Sequence, residues 1–171
     1  MHILVEKKET EPLIAANLFY QLGSGILTVI FDERKEAKEA KDYFTTLLMD
    51  YWEVDVTSSG SPLRMEVILP RKKWIINNEL QVPKTFLQAK ILFDTNQVTE
   101  LEGSYFTNNK KNILYIKFLE NKEETIRIAD NVFIEVSSSN KLSGILFNDI
   151  KNDFLYLRWF LAVRRFYRKS K

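Results

Sequence analysis

From Leu63 onward the apolar residues recur at every second position, and this period restricts most of the chain to β-sheet. Leu63, Met65, Val67 and Leu69 alternate with Arg64, Glu66 and Ile68. Successive side chains of a strand point to opposite faces, so such alternation marks a strand with one face turned to a core. Further strands are expected at Trp74–Ile76, Phe86–Phe93, Val98–Leu101, Ile113–Leu119, Thr125–Ile128, Val132–Val136 and Leu142–Phe147. Their connectors are short and polar: Asp94-Thr95-Asn96, Asn108-Asn109-Lys110 and Ser137-Ser138-Ser139-Asn140. Short strands at regular spacing with such connectors predict an antiparallel meander of hairpins.

The first third reads differently. Ile3–Val5 has the composition of a short strand. Thr10 can cap a helix whose first turn holds Glu11 and Pro12, where an acid suits the dipole and a missing N–H costs nothing. Leu13, Ala16, Phe19 and Tyr20 follow at helical spacing, and Gly23 stands where a glycine stops a helix. The run Ile26–Phe31 is almost wholly apolar, as in a strand buried on both faces. Asp32 can then cap a long amphipathic helix with Ala37, Ala40, Phe44, Leu47, Leu48 and Tyr51 on one stripe and Lys35, Glu39 and Asp42 on the other face. A strand, Trp52–Val56, precedes the loop Thr57–Pro62, and a helix is expected to close the chain from Asn148, Asp149 or Asn152 onward. Strands in the middle and helices at the ends predict an α+β fold in one domain, 1–171, with a possible subdivision at residue 60 into an alternating part and a meander. No repeat of solenoid period is visible.

Within the meander, Ile113-Leu114-Tyr115-Ile116-Lys117-Phe118, then Ile128–Val136 with its Asn131-Val132 step, then Leu142-Ser143-Gly144-Ile145-Leu146-Phe147 form a recurrent pattern. Residues 105–150 thereby resemble a family of very small uncharacterised bacterial β-meander proteins. The resemblance covers about a quarter of the chain and implies a three- or four-stranded meander, with no catalytic residues to carry over.

Composition excludes several chemistries. The 171 residues contain no Cys and one His, His2, so disulfides, thiolate metal sites and Cys nucleophiles are absent. A Ser–His–Asp mechanism needs an imidazole held beside its partners, which a histidine at the second residue does not suit. No metal site and no cofactor are expected. Glu53 and Asp55 fall on one strand face, joined by Glu66 if the next strand pairs with theirs. Such carboxylates could serve glycoside hydrolysis or magnesium binding, or simply form a solvated sheet face. Leu22-Gly23-Ser24-Gly25 follows a helical signal and precedes a strand, the reverse of a phosphate-binding loop. No stretch is long and apolar enough to span a bilayer, and Met1–Lys8 lacks the features of a signal peptide, so a cytoplasmic location is expected.

Charge is distributed unevenly. Residues 151–171 hold Lys151, Arg158, Arg164, Arg165, Arg168, Lys169 and Lys171 against Asp153, a balance of +6. The whole chain carries 25 Lys+Arg and 23 Asp+Glu, which leaves −4 for residues 1–150. On a helix, Leu155, Trp159, Ala162, Val163 and Phe166 would form a core-facing stripe. Phe154, Leu157, Arg158, Leu161, Arg164, Arg165 and Arg168 would lie on the remaining surface as a partner-binding face. Arg71, Lys72, Lys73 and Trp74 form a second basic cluster, either a phosphate grip with a stacking aromatic or a charged turn with its Trp in the core. Together these features predict a non-enzymatic interaction protein (an adaptor, chaperone-like factor or inhibitor) that docks a protein partner through the terminal helix or a sheet edge. Nucleic-acid binding through the same arginines is the alternative, with anionic-lipid binding or homo-oligomerisation as further readings.

Overall fold

The computed structural model describes residues 3–6, 14–32, 45–49, 52–93, 103–119, 121–139 and 141–153. Among these the chain forms fifteen strands and one 3-10 turn, Arg71–Lys73. Six strands build a sheet in the order β15 (Lys151–Asp153), β2 (Ala16–Gln21), β3 (Ile26–Phe31), β6 (Pro62–Ile68), β5 (Trp52–Val56) and β4 (Thr45–Met49). Seven build a second: β7 (Ile75–Ile76), β10 (Ser104–Thr107), β11 (Leu114–Lys117), β14 (Leu142–Phe147), β13 (Val132–Val136), β12 (Glu124–Ala129) and β8 (Leu87–Gln88). The remaining two, β1 (Ile3–Glu6) and β9 (Lys90–Phe93), pair with each other. The inner faces of both large sheets meet in one continuous core, from Leu18, Tyr20, Val29, Trp52 and Met65 on one side to Ile116, Ile126, Ile134, Ile145 and Phe147 on the other. The architecture is a two-sheet sandwich, as sheets with one apolar face each require.

The α+β expectation is thereby overturned: the protein is predominantly β. In β2, Ala16, Leu18 and Tyr20 are buried while Asn17 and Phe19 turn outward, a period of two. The helical spacing of Leu13, Ala16, Phe19 and Tyr20 fits the same short stretch, but β2 pairs along its whole length with the apolar run of β3, and that pairing decides the outcome. Gly25, with φ of 72°, serves the hairpin turn between the two strands, so the glycines here do not end a helix. The long helix expected from Asp32 to Tyr51 does not run through Thr45–Met49, which is strand β4 paired with β5, and residues 33–44 lie outside the described residues. At the other end Lys151–Asp153 is a strand parallel to β2, so Asn152 opens no helix. The basic C-terminal helix does not begin where expected, and residues 154–171 lie outside the described residues, as do those of the strand expected at Val98–Leu101.

Both sheets repeat one plan, although the sequence shows no repeat of solenoid period. A hairpin (β2–β3 or β10–β11) is followed by a three-strand meander (β4–β5–β6 or β12–β13–β14), whose last strand returns beside the second strand of the hairpin. This is a Greek-key arrangement, made twice. The register repeats too: Val29 pairs with Met65 as Ile116 pairs with Ile145, and Asp55 pairs with Arg64 as Glu135 pairs with Gly144. A bulge falls between Asp55 and Val56 and again between Glu135 and Val136. The turns after them close alike. The Thr57 N–H donates to the Ser61 carbonyl at 2.9 Å, and the Ser137 N–H to the Lys141 carbonyl at 3.0 Å. In each turn the first hydroxyl also accepts from the closing amide, at 3.0 and 3.3 Å.

The halves exchange their final strands. β7, which follows the first meander, pairs parallel with β10 of the second sheet, while β15, which follows the second meander, pairs parallel with β2 of the first. The partners correspond: Ile75 faces Phe106 where Lys151 faces Phe19. Ile14 also bridges to Ala129, and the Asn131 amide donates to the Ala16 carbonyl at 3.1 Å, tying the sheets at a corner.

Candidate functional site

Between β7 and β8 the chain crosses the outer face of the seven-stranded sheet from one edge to the other. Six inter-strand steps of about 4.8 Å make roughly 29 Å, which the eleven residue-to-residue steps from Ile76 to Leu87 cover in a largely extended chain. A helix of that length would cover only about 16 Å. The start is anchored by the Asn77 N–H on the Thr107 carbonyl at 2.8 Å, and the far end joins β12 through β8. In between, Leu80 and Val82 pack against Ile113, Phe133 and Leu146, a second apolar cluster on the side of the sheet away from the main core. Phe86 meets Phe133 edge-on at 5.4 Å, with the Arg127 guanidinium over both rings. Covered on both faces, β13 and β14 are buried at every position.

The strap does not cover the face completely. Beside it lies an open cleft of about 620 Å³, lined by apolar Leu80, Val82, Pro83, Leu119 and Leu146 and by polar Tyr115, Lys84, Lys117, Lys122 and Glu135. Glu135, whose side chain is only 8% exposed, sits at its base. One carboxylate oxygen accepts from the Tyr115 hydroxyl at 2.6 Å and the other from the Lys122 ammonium at 2.5 Å. A buried carboxylate is tolerated when paired in this way. Both oxygens of Glu135 are thus held by donors from other parts of the chain, one from β11 and one from the loop before β12.

Gly144 makes the arrangement possible. It lies between Lys117 and Glu135 in the sheet, and a Cβ there would meet the Tyr115 ring at 2.7 Å and its hydroxyl at 2.9 Å. The bare backbone lets Tyr115 lie across β14 and reach Glu135. In the first sheet the matching position is Arg64.

The carboxylates singled out from the sequence do come together on the outer face of the six-stranded sheet, where Glu53 and Glu66 pair directly across strands. Arg64 stands among them, ion-paired to Glu66 and within 3.6 Å of Glu53 and 3.5 Å of Asp55. Burial pushes the Arg64 guanidinium down, but Glu66 and then Asp55 outweigh it and hold its pKa above the ordinary value. Thr28 donates to Glu66 as well, at 3.1 Å. These acids form an ion-pair network on an outward face, the solvated-face alternative.

The cluster Arg71–Trp74 is divided by burial. Trp74 is buried, its indole N–H donating to the Leu69 carbonyl at 3.1 Å and its ring edge-on to Tyr20 at 5.0 Å. The Arg71 guanidinium lies 4.9 Å from the Tyr20 ring centre and 5.4 Å from that of Trp74, while Lys72 and Lys73 are exposed. Trp74 is therefore core and is not presented for stacking on a base. Phe154, Leu157, Arg158, Leu161, Arg164, Arg165 and Arg168 lie outside the described residues.

Tyr115, Lys117, Lys122 and Glu135 were not anticipated as a site. The signals were present as Gly144 inside a strand, which marks a close approach, and as Glu135 in an apolar run. Among the described residues no helix is long and apolar enough to cross a membrane.

No family model matches the chain. Over 86 residues, half of its length, it is 31% identical to a SWI/SNF chromatin remodeling complex subunit, swsn-7, of Caenorhabditis elegans. The chain matches about 6% of that much longer protein.

Proposed function

We propose that the protein is a non-enzymatic interaction protein that docks a protein partner in the cleft beside the strap. The observation that carries this reading is the composition of the cleft: apolar walls ringed by lysines, over a carboxylate whose oxygens are already engaged. Such a surface offers both apolar burial and charge to a ligand. Apolar centres with a polar rim are the anatomy of protein interfaces. The partial similarity to a subunit of a multiprotein complex is in keeping with it. A sheet edge as the docking surface, expected from sequence, gives way here to the sheet's outer face.

The test compares affinity capture from native extract by the full chain and by its Leu119→Asn variant, which removes an exposed part of the apolar wall. A partner recovered by the first and lost with the second, at an unchanged unfolding midpoint, maps docking to the cleft. Equal recovery moves it elsewhere. A further variant, Arg158→Glu with Arg165→Glu, then asks whether the C-terminal arginines carry it. If the material recovered through those arginines is nucleic acid, its retention falls by about one log unit per phosphate contact for each tenfold rise in salt.

A further inference from the structure

The duplicated plan sets an expectation for the chain that follows each exchanged strand. After β7 the chain turns onto the outer face of the seven-stranded sheet and crosses it as the strap, residues 77–86, to reach β8 at the far edge. β15 holds the matching place in the other half, since Lys151 faces Phe19 on β2 as Ile75 faces Phe106 on β10. It forms one edge of the six-stranded sheet and β4 forms the other, so the chain leaves Asp153 where the strap begins in the second half. Five inter-strand steps of about 4.8 Å make roughly 24 Å, which about eight nearly extended residues cover. Residues 154–171 number eighteen, more than that crossing needs.

The face in question is more open than its counterpart. Under the strap Phe133 and Leu146 are buried, and the register sets Glu53 and Glu66 at the same two positions of the first sheet. The Glu53 side chain is 40% exposed, and on the same sheet Phe19 and Ile68 are large apolar residues left 37% and 46% exposed. The covering chain differs in the complementary sense. The strap carries one acid, Glu79, and one cation, Lys84, whereas residues 154–171 carry six cations, no acid and a run of large apolar residues from Phe154 to Leu157. Glu53 and Glu66 remain with Arg64, so the match lies in what is exchanged at corresponding positions and requires no carboxylate to lack a partner.

From this correspondence we infer that residues 154–171 dock on the outer face of the six-stranded sheet of their own chain, as the counterpart of the strap. Their apolar side chains cover Phe19 and Ile68, and their cations lie toward Glu53 and Glu66. The inference goes beyond the docking of a partner in the cleft and does not depend on it.

The absence of Cys allows one nitroxide label to be placed at will on the full chain. A label on Ile68→Cys is expected to abolish amide NMR signals within residues 154–171, and a label on Leu119→Cys, in the cleft of the other sheet, to leave them. Signals in 154–171 that survive the Ile68 label, or are lost equally with both labels, overturn the inference. So does loss that appears only when labelled and isotope-enriched molecules are different copies, which would make the contact one between two chains. A second readout uses trypsin, which cuts after Arg164 and Arg165. Proteolysis follows the population of the opened form, so the double variant Phe19→Ser, Ile68→Ser should be cut about tenfold faster there than the parent, at conditions where both remain folded. An unchanged rate overturns the docking on this face, and the spin-label result stands as a test whether or not that variant folds.

Discussion

Replacing Gly144 by alanine isolates the device that opens the cleft, and its cost follows from the structure. The added methyl would sit 2.7 Å from Tyr115 Cε2 and 2.9 Å from its hydroxyl, distances at which something must move, with the Ile116 carbonyl also close at 3.1 Å. Backbone on the far side leaves Tyr115 as the group to yield, and its hydroxyl then leaves Glu135. Losing one hydrogen bond to a buried carboxylate costs about 1.5–3 kcal/mol, and overpacking adds about 1 kcal/mol or more where the ring cannot swing clear. Because Lys122 still pairs with Glu135, the sum should stay near 2–4 kcal/mol. For a chain of this length that lowers the thermal midpoint by roughly 4–16 °C. The assay is equilibrium urea unfolding of four proteins: the parent, Gly144→Ala, Tyr115→Phe and the double variant. Tyr115→Phe alone removes the same hydrogen bond and should cost about 1.5–3 kcal/mol, whereas in the Gly144→Ala background it should cost little, for a coupling of at least about 1 kcal/mol. Additive effects, or a Gly144→Ala variant as stable as the parent, would refute the argument that the glycine exists to let Tyr115 cross the strand.

Gly60→Ala should be the more damaging glycine substitution, at about 3 kcal/mol or more, since it adds a left-handed φ of 90° to a Cβ only 2.6 Å from the Phe93 carbonyl oxygen. Gly23→Ala, with nothing within 4 Å, should be neutral or slightly stabilising in the same urea titration, and a loss there as large as at Gly60 would contradict the geometry. Tyr20 donates to the Leu69 carbonyl at 2.8 Å, and burial raises its pKa above the ordinary 10, with the Arg71 guanidinium drawing it partly back. Above pH 10 the unfolded chain therefore releases this proton before the folded one does, so stability falls as pH rises toward the folded pKa. Tyr20→Phe should cost about 1 kcal/mol at pH 7 and flatten that alkaline decline, and parallel stability curves above pH 10 would count against the assignment. Arg64→Met leaves Glu53, Asp55 and Glu66 facing one another without their cation. Given its partial exposure, this should cost about 1 kcal/mol in low-salt urea titrations and less at about 1 M salt, where exposed ion pairs are screened; a deficit that salt leaves unchanged would mean lost packing is responsible.

The strands of the second half were legible because pairing and pattern agree there. Leu114 and Ile116, or Ile126 and Ile128, alternate with residues the sheet turns outward, and tertiary contact only confirms the period. Ala16–Gln21 misled because six residues satisfy a period of two and of 3.6 equally well, and the partner that decides between them, β3, must be known to be adjacent. The duplication was visible in one place. Asp55-Val56-Thr57-Ser58-Ser59-Gly60 and Glu135-Val136-Ser137-Ser138-Ser139-Asn140 carry the same acid, bulge and hydroxyl-closed turn eighty residues apart. Elsewhere the repeat survives only as buried positions, which many apolar residues can fill, so letter-by-letter comparison loses it while register preserves it.

The cleft was harder to foresee for the opposite reason: it is made where the halves differ. Nothing in the pattern around Tyr115 or Lys117 announces a site. The pair becomes meaningful only when Gly144 is set against Arg64, and Leu146 against Glu66, on the same scaffold. Fold and site are thus written in different positions of the same strands. Alternate residues facing inward are constrained by the core and repeat, and those facing outward are released by it and diverge. A surface that has exchanged solvated acids for apolar groups, yet kept one acid buried under a tyrosine and a lysine, bears the desolvation of that charge without any need imposed by the sandwich. The first sheet shows that the sandwich folds with an ordinary ion-pair network in the same place. The second face therefore departs from the first at positions whose identity the sandwich does not fix.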